Sequence, residues 1–114
     1  MRIKSDEDKE RETKFVEDVE RIGLLNLEIF KEKNKKYGNS FLDSLEEYGF
    51  LPLLIRLYEK NKRLEGLVYE YEENNNRDTE ESILDTLLDI SNYCLMGAGY
   101  YNMKEKNYWV KEKI

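Results

Sequence analysis

From Glu81 to Met96 apolar residues recur at helical spacing, and no strand-period alternation competes with them. Ile83, Leu84, Leu87, Leu88, Ile90, Cys94 and Leu95 fall on one wide arc. At 3.6 residues per turn, Glu81, Asp85, Asp89 and Asn92 line up within roughly 80° of arc along its border. Acids placed only for solubility would point away from the buried stripe. At its edge they suit carboxylates that hold a divalent cation in a groove between helices, and this spacing sets the all-α expectation for the chain.

The rest of the sequence agrees. Phe15, Val16, Val19, Ile22, Leu25, Ile29 and Phe30 repeat at three- and four-residue steps, predicting a long helix from about residue 8 to Tyr37, with Gly38 and Asn39 as its stop. Residues 38–49 form a connection with one short helical turn at 42–47, ended by Gly49. A second long helix is expected over 51–72, with Pro52 in its first turn, where a missing N–H costs little. Gly66 inside it is a weak point or a place of close helix contact. After the polar run at 73–78, Asp78 and Glu81 have the spacing of a capping box that opens a third long helix, reaching Met103. The small residues Cys94, Gly97 and Ala98 would let another helix approach, including one from a second subunit.

These elements predict an antiparallel bundle of three long helices plus a short connecting helix, in a homodimer or higher homo-oligomer. Its parts are a charged segment at 1–12, a single helical domain at 13–103 and a charged, aromatic tail at 104–114 containing Tyr108, Trp109 and Val110. A chain of 114 residues is one domain by length. Its net charge of −6 argues against general binding to nucleic-acid backbone. The absence of His removes His-based acid–base chemistry and His-ligated zinc. The single Cys94 suits a reducing, cytoplasmic compartment, and no apolar run is long enough to span a bilayer.

Arg56, Lys60 and Arg63 form a basic counterpart to the acid row. They lie within roughly 60° of arc and border Leu53, Leu57, Leu64 and Leu67. Antiparallel packing of the second and third long helices would bring basic and acidic rows to one rim. In one reading the rows are salt bridges between helices. In the other, the acids hold Mg²⁺ and the cations hold phosphate oxygens. Glu17 and Glu20 also have an E-x-x-E spacing, but among so many charges they read as a solvated face.

Three blocks occur in a characteristic order: KEKNKKYGNSF at 31–41, LIRLYEKNKRLEGL at 54–67 and ESILDTLLDISNYCLM at 81–96. Together they resemble the nucleotide modification associated domain 1 family, small helical proteins frequent in bacteriophages, over about residues 28–103. More loosely, the chain is similar to the all-alpha, MazG-like and dUTPase-like nucleoside triphosphate pyrophosphohydrolases, which bind Mg²⁺ through helix-borne acids. The resemblance marks Lys33, Asn34, Tyr37, Gly38, Ser40 and Phe41, then Arg56, Glu59, Lys60 and Arg63. In the third block it marks Glu81, Ser82, Asp85, Thr86, Asp89, Asn92 and Tyr93. Lys36 departs from the pattern, standing where an acid is expected before Tyr-Gly. Glu59 replaces the more usual Asp.

On this resemblance the protein is expected to bind a nucleotide in phage-type nucleotide metabolism or modification. Asn34, Tyr37, Gly38, Ser40, Arg56, Lys60, Arg63 and Asn92 would contact the nucleotide, with Asn34, Tyr37, Ser40 and Asn92 suited to its base or sugar. Glu81, Asp85 and Asp89 would hold Mg²⁺, with Glu81 and Asp85 as catalytic acids if a nucleoside triphosphate is hydrolysed to monophosphate and pyrophosphate. The alternatives are a non-catalytic protein that sequesters a nucleotide or nucleotide signal, and a helical adaptor in a nucleotide-modification complex. Lys36 weighs against hydrolysis more than against binding.

Overall fold

In a computed structural model, described here over residues 3–105, every regular element is helical. The helices are α1 (Asp6–Lys36), α2 (Ser40–Tyr48), α3 (Leu51–Glu72) and α4 (Glu80–Lys104), with one 3₁₀ turn at Arg77–Thr79. No described helix is long and apolar enough to cross a membrane. The chain divides into two compact units, residues 1–36 and 37–114.

The first unit is built on α1. Its N-terminus carries the capping box that the sequence suggested for α4. The Ser5 Oγ accepts the Asp8 N–H at 3.1 Å, and the Asp8 carboxylate accepts the Ser5 N–H at 3.3 Å. Acids fill the first turn and lysines the last, matching the helix dipole at both ends. Along the helix, Phe15, Val16 and Val19 are exposed, whereas Asn26 is buried. Glu17 and Glu20 are exposed, as a solvated face requires.

The second unit starts at a turn in which Gly38 and Asn39 are both left-handed, at φ 61° and 60°. Gly38 takes this conformation without a Cβ penalty. The helical turn expected at 42–47 lies within α2, which extends it to Ser40–Tyr48. Phe41, Leu42 and Leu45 give it an inner face, and Leu45 is only 1% exposed. Gly49, at φ 71°, ends α2 by donating its N–H to the Leu45 carbonyl at 2.8 Å. Pro52 then sits in the first turn of α3.

Helices α3 and α4 form the principal packing of this unit. Leu53 meets Gly97, Lys60 meets Asp89 and Arg63 meets Thr86, so the two helices run antiparallel. A Cβ on Gly97 would lie 2.5 Å from Leu53 Cδ2, so the absence of a side chain here admits the leucine. Edge-to-face aromatic pairs extend the core: Phe41–Tyr93 at 5.1 Å between centroids and Phe50–Tyr100 at 5.5 Å. Each such pair contributes about 0.5–1.5 kcal/mol beyond its burial.

Several expectations need correction. Asp78 does not cap α4: it lies inside the 3₁₀ turn, and α4 has no side-chain cap bond. The Asn76 side chain caps that turn instead, accepting the Asp78 N–H at 3.2 Å. A polar run long enough to fold on itself takes its own cap before the helix begins. Gly66 admits no close contact, with open space where its Cβ would be. The small residues near the end of α4 do not share one face, because Gly97 is buried on Leu53 while Cys94 and Ala98 are exposed. Tyr108, Trp109 and Val110 lie outside the described residues.

Candidate functional site

The basic and acidic rows meet at the rim of the α3/α4 pair, but in only part of the expected pairing. Lys60 Nζ lies 3.1 Å from Asp89 Oδ2, with both side chains about one-third exposed. One turn further along α3, Arg63 Nε donates to Thr86 Oγ1 at 3.2 Å. That hydroxyl donates in turn to the Ser82 carbonyl at 2.7 Å, which aims its lone pairs at the guanidinium. Thr86 is 1% exposed, so its oxygen is a fixed acceptor. Arg56 pairs instead with Glu59 of its own helix at 3.4 Å.

These contacts explain why only one of the three expected cross-helix ion pairs forms. The numbers of facing residues sum to 149 or 150, as in Leu53–Gly97, Lys60–Asp89 and Arg63–Thr86. On that register Arg56 is level with Tyr93, far along α4 from Glu81 and Asp85. Glu81 and Asp85 are exposed one turn apart, and no cation among the described residues pairs with either. Among the described residues, no group of three His, Cys, Asp or Glu side chains is arranged to hold a metal ion. Asp89, the third acid of the expected set, faces Lys60.

The remaining candidates are spread more widely. Tyr37, Gly38 and Ser40 are exposed at the turn before α2, where the Ser40 N–H donates to the Tyr37 carbonyl at 3.3 Å. Asn92 is buried at 8% exposure. Asn34 is half-buried near the end of α1, in the other unit. The structure therefore gathers Lys60, Arg63, Asp85 and Asp89 on one rim, with Glu81 a turn beyond Asp85. It does not bring Arg56 to the acid row.

Sequence reasoning missed the role of Thr86, which the resemblance marked without assigning it a contact. A signal was present: Thr86 follows Ser82 by four residues, the spacing at which a hydroxyl bonds back to a helical carbonyl. The importance of Leu45 was missed as well. Its signal was the Phe41-Leu42-Leu45 spacing in a segment too short to stand out.

The fold and rim define an all-helical protein with a mixed-charge edge on an antiparallel helix pair. No family model matches this chain, and neither a curated protein nor a solved structure does.

Proposed function

We propose that the rim of α3 and α4 binds the phosphate groups of a nucleotide, in the phage-type nucleotide metabolism or modification that the three sequence blocks suggest. What supports this reading is an Arg63 anchored by Thr86 on the rim that also carries the exposed Asp85, with Glu81 one turn beyond. Arg63 is held by Thr86 through Nε alone, which leaves its two terminal nitrogens as a fork for phosphate oxygens. Lys60 adds a second positive charge one turn away, balanced by Asp89.

Glu81 and Asp85 are the residues that would hold Mg²⁺. The ion usually takes one or two protein carboxylates and completes its shell with phosphate and water, so this pair fits its needs. Bound there, Mg²⁺ would neutralise phosphate charge. Tyr37 and Ser40, both exposed, are the side chains suited to a base or sugar. The salt bridge at Asp89 favours binding and sequestration over hydrolysis, because it removes one acid from the expected Mg²⁺-binding set. A homo-oligomer remains part of the proposal.

Calorimetry and thermal shift with a panel of nucleoside mono-, di- and triphosphates, with and without Mg²⁺, test the proposal. A sequestering protein keeps its affinity in EDTA and yields no product, and Arg63→Gln weakens binding roughly tenfold or more, as expected for a lost charge-assisted bond. Mg²⁺-dependent pyrophosphate release abolished by Asp85→Asn would replace sequestration with hydrolysis. No response to any nucleotide would sink both and leave the adaptor.

A further inference from the structure

Arg63 differs from the other cations of α3. Arg56 pairs with Glu59 at 3.4 Å, Lys60 with Asp89 at 3.1 Å and Lys62 with Glu65 at 3.7 Å. The exposed Arg63 has no carboxylate partner among the described residues, and it uses only its Nε, on Thr86. One positive charge of the rim is thus left without a counter-ion of its own. It sits on a guanidinium whose anchor is itself fixed, because the Thr86 hydroxyl donates to the Ser82 carbonyl.

The charges that follow Arg63 along the rim are negative. Towards the start of α3, the Lys60 ammonium is already occupied by Asp89. On α4, Asp85 directly precedes Thr86, so its Cα lies about 3.8 Å from that of the residue that holds Arg63. Glu81 stands four residues earlier, about 6 Å along the helix. Both acids are exposed, and no cation among the described residues pairs with either. The rim therefore sets two positive charges, Lys60 and Arg63, against three negative ones, Asp89, Asp85 and Glu81.

The two remaining nitrogens of one guanidinium match two oxygens of one phosphate group. A second and a third phosphate bring further negative charge, with no uncommitted cation on the rim to meet it. Two added charges about 8 Å from two carboxylates, partly screened at ordinary salt, weaken binding roughly three- to tenfold. Given that the rim holds phosphate, as proposed above, we infer that its ligand carries a single phosphate group, as monoester or diester. Glu81 and Asp85 then act as a charge filter against di- and triphosphates wherever no metal ion neutralises them. A ligand with one phosphate contains no phosphoanhydride to cleave, which agrees with sequestration over pyrophosphate release.

Calorimetry of the full chain in EDTA, at about 0.1 M salt, tests the filter. The ligands are a nucleoside 5′-monophosphate, its di- and triphosphate, its 3′,5′-cyclic monophosphate and inorganic phosphate. The monophosphate or the cyclic form should bind roughly three- to tenfold more tightly than the triphosphate. Tighter binding of either nucleotide than of inorganic phosphate supports the filter with a nucleotide as ligand, and equal affinity supports it with the free ion. The double variant Glu81→Gln, Asp85→Asn should tighten the triphosphate more than the monophosphate, with unchanged helical circular dichroism. A parent that prefers triphosphate in EDTA would overturn the filter, as would a double variant that keeps the parent's preference. If no phosphate compound binds, or if Arg63→Gln leaves every affinity as it was, the phosphate reading of the rim falls and the filter with it.

Discussion

Gly97→Ala and Gly66→Ala test the α3/α4 contact, because they make the same chemical change in one helix pair with opposite surroundings. Replacing a helical glycine by alanine restricts the unfolded chain and favours the helix by about 1 kcal/mol. At Gly66, where open space surrounds the missing Cβ, that gain should appear in full. At Gly97 the new methyl would stand 2.5 Å from Leu53 Cδ2, so roughly 1 Å of movement is needed to reach ordinary carbon–carbon contact. Overpacking of this kind costs about 1–3 kcal/mol. Gly97→Ala should therefore be neutral to about 2 kcal/mol less stable than the parent, and Gly66→Ala about 1 kcal/mol more stable.

The backbone term is common to both, so the difference between the variants reports the packing cost alone. At about 4 °C per kcal/mol for a chain of this size, their melting temperatures should differ by roughly 4–12 °C. Circular dichroism melts measure this, and hydrogen exchange of α3 and α4 amides assigns it to the pair. Leu53→Ala should remove most of the penalty, giving a coupling of about 1 kcal/mol or more in a double-mutant cycle. If Gly97→Ala raises the melting temperature as much as Gly66→Ala does, the packing argument is wrong.

Leu45→Ala should destabilise the second unit by about 2–5 kcal/mol, seen in urea denaturation, because a side chain only 1% exposed leaves a cavity. Little change there would mean that α2 is dispensable. The Asp18 carboxyl is held below its usual 3.8 chiefly by the hydrogen bond from Lys14, with desolvation opposing it and the charges of Lys14 and Arg21 adding smaller downward effects. A depressed folded value makes its contribution full above the unfolded value and lost as pH falls through the folded one. Lys14→Gln should therefore raise the Asp18 titration midpoint in a carboxyl NMR experiment, and an unchanged midpoint would refute the pairing.

The helices were legible because their spacing and breakers act locally. Gly38, Gly49 and Pro52 stop or start helices by backbone geometry, whatever lies around them. What the sequence concealed depends on contacts distant in the chain. The stripe of Arg56, Lys60 and Arg63 was visible, but its partners follow from the register of α3 on α4, which gives Asp89 to Lys60 and leaves Arg56 level with Tyr93 and paired with Glu59 of its own helix. Gly97 and Ala98 look alike in sequence, yet one residue of helical rotation buries the first and exposes the second. The Asp78 cap failed for a nearer reason, because Asn76 had already turned the chain.

The polar rim is a poor ruler for how α3 and α4 are aligned. A slide of α4 by one turn, bringing residue i−4 to the place of i, would set Asp85 before Lys60 and Ser82 before Arg63, again an acid and again a hydroxyl. The same slide would bring Tyr93 against Leu53, and a slide the other way would bring Tyr101. The single notch at Gly97, with a bulky ring one turn to either side, is thus the index mark of the pair. A residue that makes no hydrogen bond with its side chain decides which charged groups meet.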